Sequence, residues 1–371
     1  MVTAPRRALF MTQRLDAKSA MFAAAVAKAE AIAARVDELV VVGDSVEPAS
    51  LPANGRARTF GAGSRAGRGA RFARAIASEL RPRPVIAIAH MVPLYAVLAA
   101  PLLRPARVPI VLWFTHWDNR RVLRLAARVS TALTSVDERS FPFSSPKLEG
   151  TGHGIDPRQF PCFGAERRGE CFTALVAGRY ARHKGLDEVL RALRILLDRG
   201  VELRVVMHGP TMSPDEVSTK RALGQLAGEL DLDSALELGQ VVPRDELPAL
   251  FASVDVLICN HISPDKIVYE AAASCLPVLV SHPAFDELVE GIEPGLLFDH
   301  ADPASLADRL GALMATSPEA RRTIGETLRE RVEARHSVDT WAEAMLAYAR
   351  DGRWASKREA ALRGRGADQH A

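Results

Sequence analysis

The sequence predicts an α/β protein made of two Rossmann-like, doubly wound domains that face a central cleft. Three observations predict this fold class. The chain has 371 residues, which is too long for one ordinary core. Short apolar runs recur along it, and each is followed by a segment with helical periodicity. The runs are nearly continuous rather than alternating, as expected of parallel strands in a sheet that is covered on both faces.

These apolar runs assign the strands of each half. In the first half they are residues 8–13, 38–43, 84–90, 109–116, 131–135 and 147–152. In the second half they are residues 172–178, 203–209, 235–239, 255–260 and 277–281. Strands that alternate with helices form parallel sheets with right-handed crossovers, and ligands bind such sheets beyond the carboxyl ends of the strands. The loops that follow the strands are therefore the expected functional site.

The domain boundary is predicted from one polar segment. Residues 157–170 contain two prolines and two glycines and read as a linker. The prediction is an amino-terminal domain at 1–163 and a carboxyl-terminal domain at 164–336. An amphipathic helix at 337–350 is expected to cross back to the first domain, and 356–371 is expected to be a polar tail.

Composition places the chain among ordinary globular proteins, with 48% hydrophobic and 25% charged residues. No apolar run approaches the ~20 residues of a membrane-spanning helix, and the first residues do not resemble a signal peptide. Four cysteines (Cys162, Cys171, Cys259 and Cys275) are scattered without metal-binding spacing. We expect Cys259 and Cys275 to be reduced core residues and the protein to be cytoplasmic.

The charge is unevenly distributed along the chain. Residues 1–163 hold 23 Lys and Arg against 12 Asp and Glu, a balance of +11, whereas the remainder has a balance of −8. Four arginines in the first half repeat every third residue: Arg65, Arg68, Arg71 and Arg74. On a helix they would form a basic face suited to anionic lipid at the inner membrane surface, or simply a solvated face. Only one aromatic residue, Phe72, lies among them, so we do not expect nucleic acid as a partner.

The segment "VAGRYARHKG" at 176–185 is the first candidate for binding a ligand. It ends a strand and opens a helix, and Arg179 and Lys184 both project from it. Two cations at a strand's carboxyl end suit a diphosphate, while Gly178 and Gly185 let the backbone approach closely. The alternative is a solvated turn with ordinary surface cations.

Glu270 is the second candidate, in "HISPDKIVYEAAASCLPVLVS" at 261–281. A helix that begins near Lys266 would offer the free N–H groups of Ile267 and Val268 to a phosphate. Glu270, one turn further, could accept two hydrogen bonds from a ribose diol. The alternative is an exposed helix glutamate, but the small and apolar neighbours indicate a packed helix in which an unpaired carboxylate is costly.

The second half resembles the carboxyl-terminal domain of a GT-B glycosyltransferase of the large retaining family 4. The resemblance lies in "AGRYARHKG", "VVMHGP", "LELGQVVPRDELPALFASVDVLI" and "YEAAASCLPVLVSHPAFDELV", in the family's order. It implies that Arg179 and Lys184 bind the diphosphate of a nucleotide-sugar donor and that Glu270 binds its ribose. It also implies that Gly209 allows close approach of the nucleotide and that Gln240 and Val241 flank the base.

The chain departs from this family in the donor-sugar loop. The family carries an acidic residue eight positions before the ribose glutamate, where this chain has Ile262. Asp265 and Lys266 are therefore the candidates for contacting the donor sugar. His116, just past an apolar strand, is the candidate catalytic residue, because the resemblance places a histidine there beside the transferring sugar. The alternative is a histidine bonded to a backbone carbonyl.

The first half resembles the family more loosely. "FMTQRLDAKSAMF" at 10–22 takes the place of the acceptor-side loop, without its usual glycines. Gln13, Arg14 and His90 are the candidates for the acceptor side, although for His90 the structural alternative, a strand-end histidine bonded to a backbone carbonyl, is favoured over a functional role. The expected reaction moves a sugar from a nucleotide-sugar to a hydroxyl of a glycan or lipid-linked acceptor, with no cofactor and no metal.

Two rival functions remain open at this point. One is a sugar-nucleotide epimerase on the same fold, which would need acid–base groups that the sequence does not offer. The other is a catalytically inactive binding protein, suggested by Ile262 and by the missing glycines.

Overall fold

The structure is a computed structural model that describes residues 6–19, 22–116, 121–162, 171–261 and 265–350. The chain divides into two compact units. The first comprises Met1–Gly154 with Arg335–Ala371, and the second comprises Ile155–Ala334. The predicted boundary at 163 thus lies inside the second unit. The predicted polar tail at 356–371 lies outside the described residues.

The first unit alternates strands and helices from its amino terminus. Its strands are β1 (Arg7–Leu15), β2 (Glu38–Val46), β3 (Gly55–Thr59), β4 (Ile86–His90), β5 (Ile110–Trp113), β6 (Ala132–Ser135) and β7 (Leu148–Gly150). Its helices are α1 (Ala24–Ala33), α2 (Arg65–Ser78), α3 (Pro93–Leu103), α4 (Arg121–Val129) and, from the end of the chain, the helix α12 (Val338–Arg350).

The seven strands form one parallel sheet in the order β3-β2-β1-β4-β5-β6-β7. Helices α2, α3 and α4 cover one face, where their buried side chains share a core with Leu9 and Leu112. Successive strand residues point to opposite faces. Trp113 therefore points to the other face, where it meets Trp341 of α12 edge to face at 6.1 Å. There α12 also packs on α1.

Strand β3 is absent from the sequence-based prediction. Its sequence, "GRART", has no apolar run, and it forms the edge of the sheet beside β2. Ion pairs hold it in place. Arg58 donates to Glu79 at 2.7 Å, and Arg56 bonds both Glu79 and Glu38. Glu79 is fully buried at the end of α2, so this polar strand is fixed by charge rather than by apolar burial.

The second unit is a smaller doubly wound domain. Its strands are β8 (Thr173–Ala177), β9 (Arg204–His208), β10 (Leu236–Leu238), β11 (Val256–Cys259) and β12 (Val278–Val280). Its helices are α5 (Leu186–Asp198), α6 (Pro214–Glu229), α7 (Leu247–Ala252), α8 (Lys266–Ala273), α9 (Asp286–Val289), α10 (Pro303–Met314) and α11 (Pro318–Arg335), the last of which ends at the unit boundary. The strands are parallel and ordered β10-β9-β8-β11-β12. The predicted fold class is thus confirmed.

The cysteines differ from the prediction. Cys162 forms a disulfide with Cys275, which directly follows the end of α8. The prediction of a reduced Cys275 is wrong, because the two residues are 113 positions apart in sequence and nothing in their spacing shows that they meet. Cys259 is a buried free cysteine, as predicted, and Cys171 is a free cysteine at the surface.

Across the described residues, no helix combines the length and the apolar character that crossing a bilayer requires.

Candidate active site

The second unit places its candidate residues at the carboxyl edge of its sheet. Strand order reverses between β8 and β11, which are neighbours at the centre of the sheet. Crevices at such reversals are the usual ligand sites of doubly wound sheets. The loop after β8 carries Arg179 and Lys184, and the loop after β11 ends at Asp265. The topology therefore brings these two loops together.

Two glycines shape the loop after β8. Gly178 and Gly185 have φ of +141° and +54°, a region that side chains with a Cβ rarely adopt. A Cβ on Gly178 would lie 2.6 Å from Nζ of Lys184, so the lysine side chain lies against the bare backbone. The predicted need for glycine at both positions is explained by the conformation of the loop and by the position of Lys184.

Lys184 forms an ion pair with Asp265. Only 12% of the lysine side chain and 25% of the aspartate side chain is exposed. Burial works against ionisation of Asp265, but the charge and hydrogen bond of Lys184 outweigh it and lower the pKa of the carboxyl. A lysine held in a partly dry turn by one carboxylate is preorganised to meet a second anion.

Asp265 also forms the amino-terminal cap of α8. Its Oδ1 accepts from the N–H of Ile267 at 3.4 Å, and its carbonyl accepts from the N–H of Val268 at 3.2 Å. The sequence analysis assigned these two N–H groups to the donor phosphate. In the structure Asp265 already engages them, which makes Asp265 a capping residue as well as a candidate sugar contact.

Glu270 lies in the second turn of α8, as predicted, and is 1% exposed. Lys266 bonds its Oε1 at 2.7 Å, and Arg244 bonds the same oxygen. Burial opposes the charge of Glu270, but the two cations outweigh it and lower the pKa of the carboxyl. Glu270 is therefore an ionised acceptor held in one orientation, as binding of a diol requires.

Arg244 is a site residue that the sequence analysis missed. It follows β10 in a short 3-10 turn, and its guanidinium lies over the ring of Phe160 with 5.4 Å to the centroid. Arg244 lies in the motif "QVVPRDELP" that was quoted for the resemblance, and its charge was the only available signal. Its partner, Glu270, is 26 residues further along the chain.

Arg179 is half exposed and forms an ion pair with Glu216 of α6 at 3.2 Å. Glu216 in turn accepts from the backbone N–H of Met212 at 2.6 Å. The neighbouring Tyr180 is buried, and its hydroxyl lies 2.8 Å and 2.9 Å from the carbonyl oxygens of Met207 and Gly239. Tyr180 therefore joins the ends of three adjacent strands, and its anchoring fixes the start of the loop that carries Arg179.

The three residues predicted to lie near the nucleotide have different environments. A Cβ on Gly209 would lie 1.8 Å from the carbonyl oxygen of Gly178, so glycine is required there by the neighbouring loop itself. The carbonyl of Gln240 lies 3.2 Å from Nδ1 of His208. Val241 is 49% exposed.

Asn260, at the end of β11, connects the loops of this edge and is 4% exposed. Its Nδ2 donates to the carbonyl of Gly185 at 3.0 Å and to Glu188 at 2.9 Å. Its Oδ1 lies 3.0 Å from Nδ1 of His300. Asn260 thus holds the turn that follows Lys184 against the strand that leads into the donor-sugar loop.

Ile262, where the sequence departs from the resembled family, lies outside the described residues.

In the first unit, Gln13 and Arg14 differ from their predicted setting. Strand β1 continues to Leu15, so both residues belong to the strand and not to the loop after it. Both are exposed, and Arg14 forms an ion pair with Asp16 at 2.6 Å. The extension arises because β1 pairs with β2 as far as Val46.

His90 is a core residue, which corrects its assignment to the acceptor side. Its ring stacks on Trp113 at 5.1 Å with the planes 1° apart, and on Phe10 at 5.3 Å. Nδ1 lies 3.4 Å from Oγ1 of Thr12. Burial, followed by the charge of Lys28, lowers the pKa of His90 well below its usual range. The histidine is therefore neutral and shielded from solvent.

His116 is exposed three residues beyond β5, and its ring lies 6.3 Å from that of Phe114.

The basic stripe on α2 is interrupted. Arg68 forms an ion pair with Asp44 at 2.8 Å, and Arg71 donates to the backbone carbonyls of Phe60 and Ala62. Arg65 and Arg74 are exposed. The four arginines therefore differ in their surroundings, because Arg68 is paired with a residue of β2 and Arg71 holds the loop before the helix.

Within the ranges that the structure describes, no group of three or more His, Cys, Asp or Glu side chains could hold a metal ion.

Comparison with known families agrees with this geometry. Residues 164–331 match the family described as glycosyl transferases group 1. The chain is 24% identical over 238 residues to a GDP-mannose:cellobiosyl-diphosphopolyprenol alpha-mannosyltransferase of Xanthomonas campestris. This match covers 62% of the chain and 61% of that relative. It is 30% identical over 154 residues to a D-inositol 3-phosphate glycosyltransferase of Corynebacterium jeikeium, covering 40% of the chain and 36% of the relative.

Solved structures extend the likeness to both units. A sucrose-phosphate synthase of Thermosynechococcus elongatus superposes with a TM-score of 0.70 at 16% identity, covering 96% of the chain and all of that protein. A glycosyltransferase of Rickettsia africae superposes with a TM-score of 0.70 at 12% identity, covering 93% of the chain and 98% of that protein. The protein therefore has the fold of the GT-B glycosyltransferases, and residues 164–331 carry the group 1 match within it.

Proposed function

We propose that the protein is a glycosyltransferase that moves a sugar from a nucleotide-sugar donor to a hydroxyl acceptor. The second unit binds the nucleoside diphosphate part of the donor. The observation that carries this proposal is the arrangement at the start of α8. Lys184 is paired with the capping residue Asp265, and the buried carboxylate Glu270 lies one turn further along the same helix.

The charges of this edge suit a diphosphate. Four cations lie there (Arg179, Lys184, Arg244 and Lys266), and they are paired with three carboxylates (Glu216, Asp265 and Glu270). Arg179 and Lys184 follow β8 and would contact the diphosphate oxygens; Arg179 is half exposed and is paired with Glu216 at 3.2 Å. Cations and charge-assisted hydrogen bonds of this kind stabilise the negative charge that develops on a leaving phosphate.

Glu270 would bind the ribose. Its two ion pairs both end on Oε1. A carboxylate has about four lone-pair positions, so Oε2 offers acceptor positions to the ribose hydroxyls. Arg244 and Lys266 would then act as positioning residues that keep the carboxylate ionised and fixed. The exposed side chain of Val241 would lie against the base.

The transfer step needs one bond to break and one to form. The bond between the anomeric carbon and the diphosphate oxygen breaks, and its electron pair leaves with the nucleoside diphosphate. The acceptor oxygen bonds to the anomeric carbon, and its proton passes to a phosphate oxygen of the leaving group. We propose His116 as the residue that assists this step, through a hydrogen bond to the donor sugar or to the leaving phosphate. Gln13 and Arg14, exposed at the carboxyl end of β1, would contact the acceptor.

Retention of the anomeric configuration is part of the proposal and rests on the resemblance to family 4. Independence from metal is also proposed, because Arg179 and Lys184 can neutralise the leaving group in the place of a divalent cation. Guanosine sugars are the first donors to test, since the mannosyltransferase relative takes its name from GDP-mannose, and uridine sugars serve as the comparison. The same name supports a lipid-linked acceptor, with a glycan as the other class.

The experiment measures release of nucleoside diphosphate from a panel of guanosine and uridine sugars, with and without lipid diphosphate sugars or oligosaccharides as acceptors. We expect release that depends on an acceptor, a glycosylated product of retained configuration, and no loss of rate with a chelator. Lys184→Met and Glu270→Ala should lower the rate at a fixed, subsaturating donor concentration, because each weakens nucleotide binding.

Conversion of the donor to an epimer without an acceptor would replace the proposal with the epimerase function. Tight nucleoside diphosphate binding without turnover of any donor would indicate a catalytically inactive protein.

A further inference from the structure

Exposed apolar side chains in the first unit are concentrated on two neighbouring helices. Among the described residues of that unit, the large apolar side chains classed as exposed are Leu94, Leu98 and Leu125. Leu94 and Leu98 belong to α3, and Leu125 belongs to α4, which packs beside it. Scattered apolar residues are normal on a surface, whereas a cluster of them indicates a contact surface.

The outer face of α3 is apolar along its whole length. Leu94, Leu98 and Pro101 are exposed, and Val97 and Leu102 are half-buried. These positions follow the spacing of one helix face. The opposite face is buried in the core and includes Tyr95, Ala96, Ala99, Ala100 and Leu103. Helix α3 is therefore apolar on both faces. Val97 and Leu102 still pack against the core, whereas Leu94 and Leu98 are exposed.

The outer face of α4 adds positive charge to this apolar stripe. Arg121, Arg124, Leu125 and Arg128 are all exposed and follow the spacing of one helix face. Helix α3 has no charged residue, and neither α2 nor α4 has an acidic one. On the other side of α3, α2 contributes the exposed Arg65 and Arg74.

We propose that the outer face of α3 and α4 docks on an anionic lipid bilayer. The face comprises Leu94, Leu98 and Leu125 as the apolar part and Arg121, Arg124 and Arg128 as the basic part. An apolar stripe bordered by arginines matches the interface of a bilayer, where leucines enter the acyl boundary and arginines remain beside acidic head groups. The excess of cationic over acidic residues in 1–163 also favours binding to an anionic surface.

A bilayer fits these observations better than a second copy of the chain. The face carries arginines and no acidic residue of α3 or α4, so two copies would bring like charges together. The proposal differs from a basic stripe on α2 alone, because two of those arginines are engaged within the protein.

The test is flotation of the full-length protein with vesicles of phosphatidylcholine alone or mixed with phosphatidylglycerol, at low and high salt. We expect binding to the anionic vesicles that weakens as salt screens the arginines. Arg121→Gln with Arg128→Gln should lower the partition coefficient about 25-fold, from about fivefold for each arginine. Leu94→Gln with Leu98→Gln should lower it by about tenfold or more.

The matched control lies in the second unit. Val217 on α6 is 45% exposed and Arg191 on α5 is exposed, so Val217→Gln with Arg191→Gln removes similar groups elsewhere. This variant should float like the unmodified chain. Circular dichroism and nucleoside diphosphate binding, which should stay unchanged in all three variants, show that each is folded.

Three results would overturn the proposal: no flotation with either vesicle, equal flotation of all variants, or a dimer that the leucine variant converts to a monomer. Flotation needs no donor sugar, so its outcome does not depend on the proposed transferase activity, and failure of one leaves the other standing.

Discussion

Replacing Glu270 with glutamine tests the ribose assignment most sharply. The substitution keeps the size of the side chain and removes its charge. Glu270 is 1% exposed, and its two cation partners, Arg244 and Lys266, are 17% and 29% exposed. The variant therefore leaves two partly buried cations without their anion.

The structure sets the size of two effects. Removing one partner of a buried ion pair costs about 3–5 kcal/mol. Because water reaches both cations, we expect the free energy of unfolding of Glu270→Gln to fall by a smaller amount, about 2–3 kcal/mol. Loss of charge-assisted hydrogen bonds to the ribose, worth about 1.5–3 kcal/mol, should raise the Kd for a nucleoside diphosphate about 10- to 150-fold.

Calorimetric titration with a nucleoside diphosphate and with inorganic pyrophosphate separates ribose binding from phosphate binding. Pyrophosphate has no ribose, and the cations of the protein that would bind it are unchanged in the variant. The affinity of Glu270→Gln for pyrophosphate should therefore not fall. Glu290→Gln, which changes an exposed glutamate of the same unit, is the matched control and should bind both ligands normally. The assignment would be refuted if folded Glu270→Gln bound the nucleoside diphosphate normally. It would also be refuted if the affinity for pyrophosphate fell as much as the affinity for the nucleoside diphosphate.

Three further predictions concern other parts of the molecule. Lys184→Met should weaken binding of both pyrophosphate and nucleoside diphosphate by about 10- to 100-fold in the same titration, from the loss of a charge-assisted bond; unchanged pyrophosphate affinity would contradict the diphosphate role. His116→Ala should lower kcat in the donor assay while the Kd for nucleoside diphosphate stays constant, and a changed Kd with normal kcat would contradict it. Glu79 is destabilised as an anion by burial, yet its arginine partners lower its pKa to about 2. The ionised Glu79 therefore stabilises the fold fully above its unfolded pKa near 4.5, and this contribution of about 2–3 kcal/mol to the free energy of unfolding is lost as the pH falls towards 2. In Glu79→Gln the free energy of unfolding should depend less on pH in this range. An unchanged pH dependence of acid unfolding would show that other groups cause it.

The central strands could be predicted from the sequence because a strand that is buried on both faces consists of a continuous run of apolar residues. Strand β11 (Val256–Cys259) is an example, with four consecutive buried apolar residues. Strand β3 was missed for the opposite reason. It lies at an edge and is held by Arg56 and Arg58 through ion pairs, and alternating small and charged residues do not distinguish such a strand from a loop.

Around Glu270 the local features were predictable and the distant ones were not. The start of α8 at Lys266 and the burial of Glu270 follow from neighbouring residues, and both are confirmed. The contact with Arg244 depends on how the chain after β10 turns back towards α8, which local sequence does not determine. The partner of Cys275 was missed for the same reason.

His90 shows how a residue type at a promising position can mislead. It is the last residue of β4, where doubly wound sheets place ligand contacts, and for that reason it was kept as an acceptor-side candidate although a structural role was favoured. Its environment is set by Trp113 on the adjacent strand and by Phe10 on the other side, and stacking between them removes the ring from solvent.

The central claim, that the Lys184 turn and the start of α8 hold the diphosphate of a nucleotide, can be measured by hydrogen–deuterium exchange with and without nucleoside diphosphate. We predict slower exchange of backbone amides at 178–186 and 265–270 in the bound protein, and the same slowing in Lys184→Met only at a ligand concentration about 10- to 100-fold higher. Saturating binding that slows exchange elsewhere in the chain but not in these two segments would contradict the claim.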